Sequence, residues 1–252
     1  MSITMGGAGY FVKGFRLLWQ PRIRPFVVIP LLVNILLFAV LTTVLINQFD
    51  ALLTWLTAQL GDWLEWILWL LWLIVGALWL LVYGFSFAMI SNLIAAPFYG
   101  LLAEQVELHL RGQGQSEALT LRSLLALTGR TLVREVQKLL YFLPRLLLVV
   151  LLSLILYFIP GIGLLVPGLY FLWGAWSLAL QNSDFAADNN QLSFAHLRRR
   201  CARQRGLSLS FGAVAMLASS TPLLNLLAVP AAVAGATALW VERLADDVRQ
   251  VK

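Results

Sequence analysis

Charge is scarce in this 252-residue chain. Asp, Glu, Lys and Arg make up 12% of it and hydrophobic residues 60%, against about 25% and about 45–50% in a soluble domain. Eighteen Lys and Arg with twelve Asp and Glu are too few to coat a globule of this size, and a soluble protein this apolar would expose aggregating patches. Cysteine is nearly absent. Cys201 stands alone, so no internal disulfide can form and a disulfide-stapled scaffold is excluded. With 18 Gly and 9 Pro, collagen-like and low-complexity chains are excluded as well. Histidine is limited to His109 and His196, far apart and without HExxH or CxxC context, so no metal site is expected. No GxSxG, P-loop or GxGxxG sequence occurs, and residues 74–87 hold no Asp, Glu or His to act as an intramembrane acid or base. An enzyme reading finds no residues to carry it, and no cofactor is implied. What remains is an all-α integral membrane protein.

Four uncharged or nearly uncharged regions organise it. Residues 26–49 form a run of 24 without a charge, enough at about 1.5 Å per residue to cross roughly 30 Å of hydrocarbon. Lys13 and Arg16 precede this run in the manner of a signal peptide, but it is too long for an h-region and no small-residue cleavage site follows. It reads as a retained first span. Residues 66–103 form a run of 38, too long for one simple span. This region is expected to cross once and continue as a helix beyond the far interface, or to turn near Ser91-Asn92 and Pro97. Residues 139–183 hold one charge, Arg145, and are broken by Pro160-Gly161 and Gly163, the mark of a helical hairpin. Its first limb, 146–159, has 14 residues and would reach about 21 Å, which favours a re-entrant limb. Residues 207–241 are split in the same way by Pro222 and again by Pro230.

The expected architecture is therefore two long transmembrane helices, two re-entrant half-membrane helical hairpins and interfacial amphipathic helices in one membrane domain, with six full crossings as the alternative. Its segments are an interfacial N-terminus (1–25), a transmembrane hairpin with a cytoplasmic extension (26–103) and cytoplasmic or interfacial helices (104–138). A hairpin (139–183), a basic cytoplasmic loop (184–206), a second hairpin (207–241) and a C-terminal tail (242–252) follow.

Loop charge sets the orientation. Residues 50–65 carry Asp50, Asp62 and Glu65 but no base, and all Lys and Arg lie elsewhere. By the positive-inside rule this loop is outside and both termini are cytoplasmic. Six of the ten tryptophans fall between Trp55 and Trp79, with Trp63, Trp66, Trp69 and Trp72 repeating every third residue, as in an aromatic belt at the outer interface.

Arg122, Arg130, Arg134 and Lys138 share one i, i+4 ridge. They read as an interfacial helix meeting anionic headgroups, or as a basic funnel for an anionic solute. The run Arg198-Arg199-Arg200 with Arg203 and Arg205 reads as a topology anchor beside a membrane hairpin rather than a nucleic-acid site. One arrangement does carry chemistry. Gln20-Pro21-Arg22-Ile23-Arg24-Pro25 leads straight into the first span, with Pro25 suited to a first helical position. Free N–H groups, a positive helix end and planar guanidinium forks there would make an oxyanion site. Plain anchoring arginines are the alternative.

Residues 97–107, Pro97-Phe98-Tyr99-Gly100-Leu101-Leu102-Ala103-Glu104-Gln105-Val106-Glu107, preceded by Asn92-Leu93-Ile94-Ala95-Ala96, resemble the GLLAEQ signature of the CysZ sulfate permeases. The likeness continues through Arg134-Glu135, Gln137-Lys138-Leu139, Leu143-Pro144-Arg145 and 157–163, then Pro222-Leu223-Leu224-Asn225-Leu226 and 235–243. The resemblance implies a multi-pass protein of the bacterial inner membrane that imports sulfate for cysteine biosynthesis, channel-like and homo-oligomeric. It leaves sulfite and other oxyanions open as solutes. A non-transporting scaffold or regulator of another sulfate porter stays as the alternative. The family's Gly-Ile-Arg-Arg sulfate turn aligns with Arg22-Ile23-Arg24-Pro25, so Arg24, Arg22, Pro25 and Phe26 are the candidate sulfate-binding residues. Arg24 matches the first family arginine, and Pro25 replaces the second. The resemblance puts Gly100, Leu101, Leu102, Ala103, Glu104 and Gln105 along the translocation path. Asp184, Asp188 and Asn189 match the family too and read as helix caps.

Overall fold

The computed structural model describes residues 5–59, 65–113, 121–159 and 161–245. Asp62, Trp63, Pro160 and the tail beyond residue 245 lie outside them, as do the side chains of Trp66, Arg122 and Arg130. All elements among the described residues are helical: α1 (Gly7–Leu17), α2 (Pro25–Gln59), α3 (Glu65–Arg111), α4 (Leu121–Tyr157), a 3-10 turn (Ile162–Leu165), α5 (Val166–Asn189), α6 (Phe194–Arg203), α7 (Arg205–Ser219) and α8 (Pro222–Leu239). A π-helical turn, Trp240–Leu244, follows α8. Four stretches are long and apolar enough to cross a membrane: Pro25–Leu56, Val133–Tyr157, Ile162–Asn189 and Leu224–Leu244. The chain is an all-helical membrane protein.

Several local expectations change. The 66–103 region does not turn at Ser91-Asn92 or Pro97, because α3 is one 47-residue helix with Pro97 inside it. The limb counted from residue 146 is not a separate helix, since α4 runs through Pro144 and Arg145. Both lie within its 37 residues, so the limb that looked 14 residues long is part of a 25-residue apolar stretch. Pro144 removes one helical N–H, and the next residue folds back, Arg145 donating from Nη1 to the Tyr141 carbonyl at 2.9 Å. Pro230 sits inside α8 without splitting it. The two breaks that do form hairpins are the turn after Tyr157, with Gly161 at φ 81°, and Pro222 in the first turn of α8. Only glycine takes that positive φ without strain.

The structure divides into two compact units, residues 28–96 and residues 1–27 with 97–252. In the first, α2 and α3 run antiparallel. Asn34 accepts from Ser91 at 2.9 Å, the Thr42 and Tyr83 hydroxyls meet at 2.8 Å, and Trp79 Nε1 donates to the Leu45 carbonyl at 3.3 Å. Eight residues from Asn34 to Thr42 match eight back from Ser91 to Tyr83, and three more to Leu45 match four back to Trp79. Tyr83 and Phe87 stack in the same seam, and Phe38 meets both rings edge-on. Polar groups thus face the partner helix while Leu36, Leu81 and Phe85 stay exposed, as a bilayer solvent requires.

The second unit is built around α8, whose Ala228, Ala231, Ala232, Ala234, Ala236 and Ala238 are all buried. Small residues let backbones close in. A Cβ on Gly14 would lie 2.2 Å from the Ala231 carbonyl oxygen, and one on Gly212 would lie 1.8 Å from that of Ala175. Helix α1 is therefore locked onto α8, and α7 onto α5. At the end of α8, Glu242 accepts from the Tyr10 hydroxyl at 3.0 Å and pairs with Lys13. Burial pushes the Tyr10 hydroxyl pKa up, so it stays a neutral donor.

Candidate functional site

The connection from α1 to α2 is a chain of tight turns. Gln20 N–H donates to Leu17, Ile23 and Arg24 N–H to Gln20, Phe26 N–H to Ile23 and Val27 N–H to Arg24, at 2.9–3.1 Å. Helix α2 begins at Pro25, in the first helical position its fixed φ favours. Ile23 is fully buried and joins the core cluster that also holds Leu102, Ala103 and Val106. It pins the turn from below and leaves Arg22 and Arg24 exposed. The Arg24 Nε donates to the Trp19 carbonyl at 2.8 Å, which fixes the plane of its guanidinium. Among the described residues neither arginine has a carboxylate partner.

The expected free backbone donors are not there. Pro25 has no N–H, and those of Phe26 and Val27 are already engaged with carbonyls of the turn. At the start of α2 the donors left for an oxyanion are guanidinium N–H groups.

The stretch Gly100–Gln105 divides by chemistry. Leu101, Leu102 and Ala103 are buried in the apolar core, and so are Ala186, Ala187 and Leu197 of the same cluster. Gly100 offers its carbonyl to Asn189 Nδ2 at 2.8 Å. Glu104 and Gln105 are half-buried, and both are engaged in contacts. One turn further along α3, Glu107 is the acid pinned by an arginine. Its Oε1 pairs with Arg111 at 2.7 Å, and its Oε2 accepts from Asn190 Nδ2 at 2.8 Å. The end of α5 is thereby clamped to α3. Sequence reasoning missed Glu107 and Asn190. The i, i+4 spacing of Glu107 and Arg111 was the available signal.

Asp184 is not a helix cap. It lies inside α5, 2% exposed, and receives Arg134 in a fork: Nε to both carboxylate oxygens at 3.1 Å and Nη2 to Oδ1 at 2.7 Å. Lys138 stands 3.7 Å from the other oxygen and also pairs with Glu135. Arg134 and Lys138 therefore turn into the protein, not toward headgroups or an open funnel. Their aromatic neighbours are Phe194 and Phe185. Arg134 further donates to the Leu192 carbonyl at 2.9 Å, and a cavity of about 350 Å³ opens beside it, lined by Asp188, Gln191, Leu192 and Ser193. The loop lining it closes α5 with paired bonds, Leu192 N–H to Ala187 and Gln191 N–H to Asp188. This C-terminal motif usually takes glycine at its left-handed position, where this chain has Gln191 at φ 54°.

Arginine-rich turns, a clamped signature helix and a buried ion-pair cluster all lie in one unit of an all-helical membrane protein. Residues 10–230 match the family described as Sulfate transporter CysZ/Etoposide-induced protein 2.4. The chain belongs to that family. Its relatives include the Sulfate transporter CysZ of Pseudomonas aeruginosa strain LESB58, 39% identical over 238 residues that cover 94% of this chain and 95% of the relative. The protein of the same name from Pectobacterium atrosepticum is 42% identical over 241 residues, covering 95% and 86%. Within the family's matched range fall the α1–α2 turn, Gly100–Gln105 and the Arg134–Asp184 pair.

Proposed function

We propose that this chain imports sulfate across the bacterial inner membrane and so supplies cysteine biosynthesis. The observation that carries the reading is the near full-length similarity, at 39% and 42% identity, to proteins named Sulfate transporter CysZ. On this reading Arg24 and Arg22 grip the dianion at the turn before α2, with Pro25 and Phe26 shaping the corner. Planar forks suit a tetrahedral oxyanion, and the two guanidinium groups there lack carboxylate partners among the described residues. The path runs past Glu104 and Gln105, held in place by the packing of Leu101, Leu102 and Ala103 and by the Asn189 bond to Gly100.

The α4–α5 and α7–α8 hairpins are read as reaching half-way into the membrane, with both termini cytoplasmic. Two features support half-depth. Tyr157, Phe158, Leu164 and Leu165 at the first tip are exposed and apolar, and water would not favour them. At the second tip the Ser220 and Thr221 hydroxyls donate to carbonyls of their own helix, Met216 and Leu217, which satisfies them without water. The broad exposed apolar faces of α2 and α4 fit lipid and copies of the same chain.

Cells stripped of their own sulfate uptake test the reading. Expression of this chain should restore accumulation of labelled sulfate, with sulfite competing. Arg24→Ala should weaken sulfate handling about ten- to a hundredfold, the loss of a charge-assisted bond worth about 1.5–3 kcal/mol. Arg199→Ala, which removes an exposed arginine of α6, should leave it unchanged. Equal effects at both positions would move the site elsewhere.

A further inference from the structure

Two arginines stack on the ring of Tyr141, and one of them, Arg145, also donates to the Tyr141 carbonyl. Arg145 of α4 lies with Cζ 3.9 Å from the centroid of the Tyr141 ring, and Arg198 of α6 lies 4.4 Å from the same centroid. Their guanidinium carbons are thus within about 8 Å of each other, close enough for like charges to repel. Among the described residues neither has a carboxylate partner. The Arg198 Nε is buried without a hydrogen-bond partner. Arg198 stands one turn beyond Phe194 on the same side of α6, where Phe194 and Cys201 are buried, and its Cζ lies 5.5 Å from the Phe194 ring centroid. The Tyr141 hydroxyl is anchored in turn by Trp176 Nε1 at 3.4 Å.

Their place on the helix says what the pair is for. Arg145 is the last charged residue of α4. On the same helical face follow Leu148, Leu152 and Ile155, at i+3, i+7 and i+10, exposed by 64%, 45% and 62%. From Arg145 to Ile155 the ridge runs about 15 Å, the depth of one hydrocarbon leaflet. Paired planar donors at one end and an uncovered aliphatic ridge at the other match a charged headgroup and its chain.

We propose that Arg145 and Arg198 hold the phosphodiester of an anionic phospholipid, with an acyl chain along Leu148, Leu152 and Ile155. The phosphate neutralises the two cations and gives Arg198 Nε its acceptor. Free sulfate or phosphate offers the same tetrahedral oxyanion chemistry, but it makes no use of the ridge.

The test uses the full chain purified in a zwitterionic detergent and equilibrated with micelles carrying phosphatidylglycerol or phosphatidylcholine. Lipid retained per protomer is counted after gel filtration. The wild-type chain should prefer phosphatidylglycerol by at least about tenfold, and millimolar inorganic phosphate or sulfate should not displace it. Arg145→Gln and Arg198→Gln should each cut retention about tenfold, the loss expected for a charge-assisted contact, while Arg199→Gln changes it less than about twofold. Equal retention of the two lipids by the wild type would overturn the proposal, whatever the fold of the variants. So would a loss at Arg199→Gln as large as at Arg145→Gln, which means diffuse charge attraction. Displacement by inorganic phosphate or sulfate would also overturn it and assign the pair to a free oxyanion.

Discussion

Removing the Asp184 carboxylate should cost more than any other single change in the polar network. Arg134 forks onto it with three contacts of 2.7–3.1 Å and Lys138 stands 3.7 Å away. Arg134 and Lys138 are 11% and 8% exposed and Asp184 is 2% exposed, so solvent can screen little of the charge. Asp184→Ala leaves two buried cations, Lys138 keeping Glu135 and Arg134 keeping the Leu192 carbonyl. Breaking a buried pair in this way costs about 3–5 kcal/mol. Asp184→Asn keeps the shape and one acceptor oxygen but loses the charge, for about 1.5–3 kcal/mol. The double variant Arg134→Met with Asp184→Leu removes both ions and should be more stable than Asp184→Ala alone, since apolar replacement of a buried pair is often neutral. Equilibrium unfolding in mixed micelles, by stepwise addition of a denaturing detergent, reads all three. A loss below about 1 kcal/mol for Asp184→Ala would refute the reasoning. So would a double variant no more stable than Asp184→Ala.

Three further outcomes follow from single positions. Gln191→Gly should stabilise the protein by about 1 kcal/mol in the same unfolding assay, because the left-handed φ of 54° strains any residue with a Cβ. Gly14→Ala drives a methyl to 2.2 Å from the Ala231 carbonyl and should destabilise by about 1–3 kcal/mol, whereas Gly84→Ala meets nothing within 4 Å and should be neutral or better. Burial pushes the Cys201 thiol up to about 12, so it should resist maleimide across roughly pH 6–9, where an exposed thiol reacts faster with each pH unit. Because the folded value lies above the unfolded one, this group's contribution is full below the unfolded thiol pKa and is lost as pH rises toward 12. Unfolding stability measured from about pH 8 upward should decline accordingly.

The membrane class was legible from composition alone, since no other class accommodates so few charges. Helix punctuation was legible where a residue's backbone chemistry decides it. Pro25 and Pro222 open helices, and Gly161 makes the α4–α5 turn. Proline signals failed inside α3 and α8, where Pro97 and Pro230 are carried within a helix. In a membrane-type helix neighbouring groups can compensate the missing bond. Spacing put Arg134 and Lys138 on one ridge but said nothing of what faces that ridge. Asp184 is 50 residues from Arg134, and Asn190 is 83 residues from Glu107, so local periodicity carries no trace of either contact. The same limit hid the burial of Leu101, Leu102 and Ala103, whose sequence context looks no different from a lipid-facing run. Arg22 and Arg24 were legible as a pair of cations beside a helix start. The engagement of the backbone N–H groups by the turn was not, because it depends on how the chain leaves α1.

Transport itself is tested most directly by the purified chain in sealed liposomes with no other protein present. Labelled sulfate should enter wild-type vesicles down its gradient well above the rate of empty ones, and Arg24→Ala vesicles should fill far more slowly at low sulfate. Filling no faster than empty vesicles under an imposed sulfate gradient, with or without a proton gradient, would contradict the account and leave the chain as a partner of some other porter.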